Sequence, residues 1–427
     1  MPHPGRHHGR TSCRGLGAAG EMAGSGVRWL AGSGNEVHLE LYDVDARGLD
    51  ALVATLPCPP AIADRIDLFD GARLREAISG AALVVLGAGP YLRTAAPVMR
   101  ACVDLGVDYL DIDDDIESTQ EALALHAAAQ DAGMALHVGC GASPGMSNLL
   151  AVDAAAQLDE VETIDVCWVS GDEGARPYGA AVLEHAFHIS AGDTLTWRDG
   201  GPVTVPAFTA TEVFSLGGDL GDYRLYETAH PEVVTLPRRY PRVRSVRVMG
   251  GLHPQPVNGL VRGIALAVHD GRLTMPEAIA WFQAVLRDES APLRGWRYAI
   301  AGMLGQVRRG ECSPQEVGRF LLAGLRHQHE PYRGALMARA TGVRSGEPAT
   351  AIVRTPTGGP DSPFASSMSR VTGACLAAFV ALALDRRGVH RGAVAPEDWV
   401  EPATFYAALE ELGVPRHEFL APETVAA

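Results

Sequence analysis

Apolar and polar positions follow two different periods along the first third of the chain. Short apolar runs such as Ala82–Leu86 are typical of strands buried on both faces, and they alternate with segments of helical periodicity. The predicted strands are His38–Tyr42, Arg65–Leu68, Ala82–Leu86, Asp108–Ile112 and Met134–Val138. The predicted helices are Gly71–Ser79, Arg93–Leu105, Glu117–Ala132 and Ser147–Leu158. Strands that alternate with helical crossovers predict an α/β fold with a doubly wound parallel sheet of the Rossmann type.

The pattern changes after Leu158. The predicted strands here are Thr163–Val169 and Arg244–Met249, and the predicted hairpins are 195–205 and 335–353. The predicted helices are 276–288, 293–306 and 314–325. This order predicts an α+β substrate and dimerisation domain at 147–364, inserted into a dinucleotide-binding domain made of 15–146 and 365–427. The apolar run Gly373–Leu384 is too short to cross a bilayer, and we expect a helix that packs back on the first domain.

A glycine-rich loop lies near the start of the chain. Gly15, Gly17 and Gly20 have the GxGxxG spacing, which brings backbone close to a pyrophosphate and directs helix N–H groups at it. Residues 1–14 are rich in Pro, His, Gly and Arg and are expected to be a disordered leader. Because arginines are costly to bury, the RTSCR segment at 10–14 should form no well-packed central strand, so the strand is poor or the reading frame there is wrong. An aliphatic run in its place should raise stability and cofactor affinity.

Asp43 follows the second predicted strand, near the spacing expected for an acid that accepts a hydrogen bond from a ribose hydroxyl. The alternative is that it caps the helix after it. A carboxylate repels a 2′-phosphate, so Asp43 favours NAD, although Arg47 softens that preference and leaves NADP as the alternative.

Composition narrows the partners. The net charge of −15 opposes binding to the phosphate backbone of a nucleic acid. The seven cysteines form no CxxC pair, and no secretory signal segment is visible, which indicates a cytoplasmic protein with no membrane partner. His185 and His188 could share a helical face, but without a third ligand nearby we expect no metal site.

Three loops at strand ends carry a resemblance to a known family. They are Gly87-Ala88-Gly89-Pro90-Tyr91, Tyr109-Leu110-Asp111-Ile112, and the longer segment 139–149, which reads GCGASPGMSNL. In this order they resemble the saccharopine dehydrogenase family, to which residues 344–348, 372–373 and 388–397 are also similar. The resemblance implies NAD(P)-dependent hydride transfer at a carbon–nitrogen bond, on an imine or secondary amine of an amino-acid or polyamine-like substrate, by a homodimer.

The predicted site residues lie mostly in these loops, where ligands bind in open α/β sheets. The predicted cofactor-binding residues are Gly15, Gly17, Gly20, Asp43, Asp67, Ala88, Gly89 and Pro90. Tyr91 and Asp113 are the predicted catalytic residues, although Tyr91 could instead only cover the sheet end. Asp113 belongs to an acidic cluster, Asp111 and 113–115, that either favours the dipole of the next helix or binds a cationic amine.

Three further features have two interpretations each. Cys140 is a reactive thiol or a small buried hydrophobe. The arginines at 238, 239, 242, 244 and 247 bind substrate carboxylates or form a solvated strand edge. His253 is a candidate acid or base.

Two other function classes stay open at this stage. The unsuitable first strand would suit a binding or scaffold protein that has lost cofactor affinity. Reduction of a carbon–carbon double bond by an enoyl reductase of the same fold is the second alternative.

Overall fold

The computed structural model describes residues 12–33, 37–171, 178–328, 330–421 and 424–426. Within them the first sheet has seven parallel strands: β1 (Ser12–Leu16), β2 (His38–Asp43), β3 (Ile62–Arg65), β4 (Leu83–Leu86), β5 (Asp108–Asp111), β6 (Ala135–His137) and β15 (Gly392–Val394). Its helices are α1 (Glu21–Gly32), α2 (Ala46–Val53), α3 (Gly71–Ile78), α4 (Tyr91–Leu105), α5 (Ile116–Ala124), α6 (His126–Asp131), α14 (Met368–Asp385), α15 (Pro396–Trp399), α16 (Pro402–Glu411) and α17 (Arg416–Phe419). The strand order β15-β6-β5-β4-β1-β2-β3 is that of a doubly wound sheet, which confirms the predicted fold class.

The second sheet is mixed. Its strands are β7 (Glu160–Gly171), β8 (Asp193–Arg198), β9 (Gly201–Pro206), β10 (Thr211–Gly217), β11 (Gly221–Glu227), β12 (Ser245–His253), β13 (Ala335–Arg344), β14 (Glu347–Arg354) and β16 (Thr424–Ala426). The associated helices are α7 (Met146–Ala155), α8 (Ala180–His188), α9 (Glu232–Arg239), α10 (Pro256–His269), α11 (Met275–Leu286), α12 (Leu293–Arg308) and α13 (Pro314–Leu325). Helix α7 packs on β7 and β13, so the chain enters the second domain directly after β6.

The first strand corrects the expectation for the leader. Residues Ser12–Leu16 form β1 at the centre of the first sheet, where they pair with β2 and β4. Arg14 is tolerated there because its guanidinium pairs with Glu40 at 2.7 Å and donates to the carbonyls of Ala77 and Ser79. Residues 1–11, the rest of the predicted leader, lie outside the described residues.

The C-terminal segment returns to the first sheet. Helix α14 packs on α1, and the two backbones approach so closely that a Cβ on Gly373 would lie 2.7 Å from the Gly26 nitrogen. Among the described helices, α14 is long and apolar enough to cross a membrane, but here the Phe379 ring packs on Trp399 and Phe405. Strand β16 differs from the prediction, because it pairs with β14 of the second sheet.

Two other elements differ from the sequence prediction. The third strand is Ile62–Arg65, not Arg65–Leu68, and its side chains are exposed because it forms the sheet edge, where no apolar run is needed. The predicted helix at 117–132 is divided into α5 and α6 at Leu125.

Candidate active site

A cavity of about 1510 Å³ lies between the carboxyl ends of the first-sheet strands and the second domain. One part of its wall comes from the loops after β1, β2, β3 and β4, and the facing part comes from β7, α8, β12 and α10. Such a crevice outside the strand ends is where an open α/β sheet binds its ligands.

The glycine loop after β1 forms the floor of this cavity. Gly17 has a φ of +75°, and a Cβ there would lie 2.5 Å from the Cβ of Ala88, so this position requires glycine. The next helix, α1, begins after Gly20 without a side-chain cap. A loop of this shape before a helix N-terminus fits the pyrophosphate of a dinucleotide. Gly15, also predicted to bind cofactor, instead lies within β1 and does not line the cavity.

Asp43 lines the cavity at the end of β2 and also holds the glycine loop. Its Oδ2 accepts from the Ala19 N–H at 2.8 Å, and its Oδ1 accepts from the Asp45 N–H at 2.9 Å. Each carboxylate oxygen keeps a second lone pair for a ribose hydroxyl. The alternative role is not observed, since α2 begins after Asp45 and has no side-chain cap. Asp45 and Asp67 line the same end of the cavity, whereas Arg47 does not.

The loop after β4 forms the middle of the wall. Ala88, Gly89 and Pro90 all line the cavity, and the Thr94 hydroxyl holds the loop by donating to the Ala88 carbonyl at 2.5 Å. Tyr91 lines the cavity as well, at the first position of α4. Burial, together with Asp114 and Asp111, raises the pKa of Tyr91 well above its usual range, so its hydroxyl stays protonated.

The acidic cluster after β5 divides into two pairs. Asp111 accepts from the Gly139 N–H and the Tyr109 hydroxyl, and Asp113 accepts from the Asp115 N–H. Asp113 does not line the cavity, so its predicted catalytic role is not supported by its position; it shapes the loop. Asp114 and Asp115 are the members that line the cavity.

His185 of α8 connects these two acids to the second domain. Its Nδ1 lies 2.9 Å from Asp115 Oδ1, and its Nε2 lies 3.3 Å from Asp114 Oδ2. Burial lowers the pKa of His185, but Asp114 and Asp115 outweigh it and raise the pKa to about 9. With a carboxylate at each nitrogen, the ring is an imidazolium near neutral pH.

A second histidine–carboxylate pair lies beside the first. His230 lines the cavity, with its ring centre 5.7 Å from that of His185 and its Nδ1 3.4 Å from Glu232 Oε2. Glu232 is fully buried, and its Oε1 accepts from the hydroxyls of Ser143 and Ser147, each at 2.7 Å. Glu232 thereby ties the loop after β6 to the second domain and orients His230.

The loop after β6 carried much of the family resemblance. In the structure it mainly connects the two domains through hydrogen bonds. Asn148 accepts from the Gly145 N–H and donates to Thr235 of α9 and to Glu397 of α15. Cys140 is completely buried, and burial raises the pKa of its thiol well above the usual range, so it is a small core residue.

Of the other candidates from the sequence, some line the cavity and others lie outside it. His253 lines the cavity. The described arginines of the 238–247 cluster do not: Arg238 pairs with Asp398, and Arg247 pairs with Asp165 and Glu212. Arg238, Arg239 and Arg247 form ion pairs within the protein, which neither interpretation of the cluster anticipated. Arg242 and Arg244 are exposed, as the solvated interpretation expected.

Asp114, Asp115 and His185 also have ligand-type atoms within 4.8 Å of one another. A metal ion could use that spacing, but the ion pairs of His185 with both acids account for the cluster without one.

Sequence reasoning missed His230 and Glu232. Their partner serines precede Glu232 by 85 and 89 residues, so no local pattern marks the pair. The one available signal was the position of His230 in a polar segment directly after the alternating residues of β11.

The pairing of His185 predicts a pH-dependent stability. Its pKa is about 9 in the folded protein against an ordinary value of 6.5, so its contribution is complete below about pH 6.5 and is lost as the pH rises towards 9. The wild type should lose up to about 3 kcal/mol of unfolding free energy over that window relative to His185→Gln. Urea unfolding of both proteins at several pH values measures this, and parallel curves would contradict it. Burial also raises the pKa of Glu397 to about 7. Glu397 is present in both proteins, so its contribution cancels in the difference between their unfolding free energies.

Comparison with known proteins agrees with this geometry. Residues 15–136 match the family model described as the saccharopine dehydrogenase NADP binding domain. Apo saccharopine dehydrogenase (L-Glu forming) from Saccharomyces cerevisiae is similar over 98% of this chain and 100% of its own, with 15% identity and a TM-score of 0.62. DAP dehydrogenase from C. glutamicum, in complex with DAP, covers 93% of this chain and 95% of its own at 13% identity, with a TM-score of only 0.42. The resemblance identified in the sequence is confirmed for the fold and for the nucleotide-binding domain.

Proposed function

We propose that this chain, whose first domain is a saccharopine dehydrogenase-type NADP-binding domain, reduces imines or oxidises secondary amines with a nicotinamide cofactor. The observation that supports this most is the pair of histidine–carboxylate contacts beside the Gly89–Tyr91 loop. Hydride transfer at a carbon–nitrogen bond needs one proton to be added or removed at nitrogen. Two ionisable groups at the cavity wall suit that need, whereas the protonated Tyr91 does not suit the role of a base.

Each part of the wall has a distinct task. Bound NAD(P) supplies or accepts the hydride. The glycine loop and the N-terminus of α1 hold the pyrophosphate, and Asp43 accepts from the ribose. His230 holds the exchangeable proton for the substrate nitrogen, because Glu232 engages Nδ1 and leaves Nε2 for the cavity. His185, protonated between Asp114 and Asp115, keeps the charge of this corner constant.

The reaction class can be tested with a cyclic imine. The purified protein, mixed with NADH and methylpyrroline, should oxidise the cofactor and yield a pyrrolidine that is two hydrogens heavier by mass spectrometry. Cofactor oxidation with a crotonyl thioester in place of the imine would indicate the enoyl reductase. Failure to bind either dinucleotide would indicate the scaffold protein.

The cofactor preference follows from the acids at the end of β2. Asp43 and Asp45 both line the cavity, so a 2′-phosphate would meet negative charge. We expect NADH to bind at least about tenfold more tightly than NADPH, and Asp43→Ser to narrow that ratio by about tenfold, or about 1.4 kcal/mol. Titration by nicotinamide fluorescence measures both constants.

The matched control for this experiment is Asp50→Ser, an exposed acid on α2 that does not line the cavity. It should leave the ratio unchanged. Tighter binding of NADPH by the unmodified protein would overturn the assignment. A homodimer and a cytoplasmic location stay predictions that no observation here addresses.

A further inference from the structure

The cavity continues past the Gly89–Tyr91 loop into an apolar chamber of the second domain. The connection is direct, since that loop and the chamber walls line one cavity. The chamber walls belong to α8, α10, α11 and α13 and include Leu183, Val261, Phe282, Leu286, Phe320 and Leu321. The total volume of about 1510 Å³ exceeds the roughly 300–1,000 Å³ that is usual for a small-molecule site. Space therefore remains for an apolar group beyond the cofactor.

Most of the charged side chains around this chamber are acidic. The acids that line it and its entrance are Asp114, Asp115, Asp288, Glu289, Glu316 and Glu330. Arg319 is the only arginine among the described residues of the cavity wall, and it follows Glu316 by one turn of α13. The sequence contains no lysine. Recognition of substrate carboxylates uses arginine or lysine, so a di- or tricarboxylate would find few partners here.

We propose that the substrate is an amine or imine with an extended apolar body and no carboxylate. This rests on the proposed function and adds the substrate class to it. The apolar body occupies the chamber, and the charged nitrogen lies at Asp114, whose side chain is one-third exposed beside His185. In the reductive direction an uncharged imine gains hydride at carbon from NAD(P)H and one proton at nitrogen from His230, which leaves the neutral amine, NAD(P)⁺ and a His230 that has lost one proton. The amine then takes a proton from water and binds Asp114 in its charged form.

Binding of analogues in the absence of NAD(P)⁺, where no oxidation can occur, tests the substrate class apart from the chemistry. Trp168 and Trp296 both line the cavity, so quenching of tryptophan fluorescence can report binding to the intact protein. The probes are N-methyl alkylamines with hexyl, octyl and decyl chains, and alkyl carboxylates of the same lengths. Affinity for the amines should rise by about fourfold for each added methylene. Each amine should bind at least about tenfold more tightly than its carboxylate.

Three variants, one of them a control, locate the binding. Leu286→Gln places a polar group in the chamber wall and should reduce the gain per methylene to less than about twofold. Leu304→Gln changes a leucine of α12 that is 49% exposed and does not line the cavity, and it should behave as wild type. Asp114→Asn should weaken the amines without weakening the carboxylates.

The outcomes separate this inference from the proposed function. Chain-length-dependent amine binding without any imine reduction would support the chamber and refute the reaction. Reduction of methylpyrroline together with equal or better binding of the carboxylates, or with no gain per methylene, would support the reaction and refute the substrate class.

Discussion

Replacing His230 by Asn should lower kcat for imine reduction by about 100-fold to 10,000-fold and leave the affinity for NADH within twofold. The reason is the position of the ring, which lines the cavity with one nitrogen held 3.4 Å from Glu232. Removing the imidazole removes the group that carries the proton, while the glycine loop and Asp43 are untouched. Steady-state kinetics measure the change in kcat, and nicotinamide fluorescence measures the affinity for NADH.

Glu232→Gln is the companion variant, and it tests a positioning residue. Glu232 acts through His230, so Glu232→Gln should lower kcat, and the double variant His230→Asn/Glu232→Gln should be no slower than His230→Asn alone. A further loss of kcat in the double variant would indicate a separate structural role. His188→Asn is the matched control, since His188 pairs with Glu117 and does not line the main cavity. If His188→Asn lost as much activity as His230→Asn, the assignment would fail.

Replacing Arg14 by Met should destabilise the protein by about 3–5 kcal/mol, the usual cost of leaving a buried charge without its partner. Glu40 is 6% exposed, and Arg14 is its cationic partner at 2.7 Å; the hydroxyls of Ser12 and Tyr42 are its other donors. The variant also leaves the carbonyls of Ala77 and Ser79 without the guanidinium. Urea unfolding followed by circular dichroism measures the change. From the sequence, an apolar residue at this position was expected to raise the free energy of unfolding. The ion pair in the structure predicts that it lowers that free energy.

The double variant Arg14→Met/Glu40→Met separates the loss of the ion pair from the loss of side-chain packing around Arg14. It should recover part of the lost stability, because two apolar side chains leave no buried charge. Arg73→Met is the control for a surface pair, since Arg73 is about half exposed in its contacts with Asp64 and Glu76, and it should cost at most about 1 kcal/mol. An Arg14→Met protein as stable as the wild type would show that the ion pair does not anchor β1.

Much of the fold could be predicted because its signals are local. The fully apolar residues of β4 reflect burial on both faces of the first sheet. The alternating residues of β7 marked a strand as well, although consecutive residues of β7 are buried on both of its faces. The capping box at Ser313 and Glu316 marks the start of α13 in the same local way. The edge strand β3 was misplaced because a strand with exposed side chains carries no such pattern.

The first strand shows what local reasoning could not supply. Its composition argues against a central position, and that argument holds only if Arg14 is unpaired. The pairing depends on Glu40 in the neighbouring strand β2 and on carbonyls at the end of α3, which the chain brings together only when folded.

The same division applies to the site. The sequence alone determined the cofactor half, since the glycine loop, Asp43 and the Gly89–Tyr91 loop each follow a strand whose end must lie at one edge of a parallel sheet. Only the tertiary structure showed which of the proposed proton-transfer groups lie together. It left Asp113 out of the cavity wall and brought Asp114 and Asp115 to His185, and it placed Glu232 against serines more than eighty residues earlier in the chain. The physical reason is that these groups come from distant parts of the chain and meet between two domains. Their positions in the sequence therefore follow no regular spacing from which the contacts could be predicted.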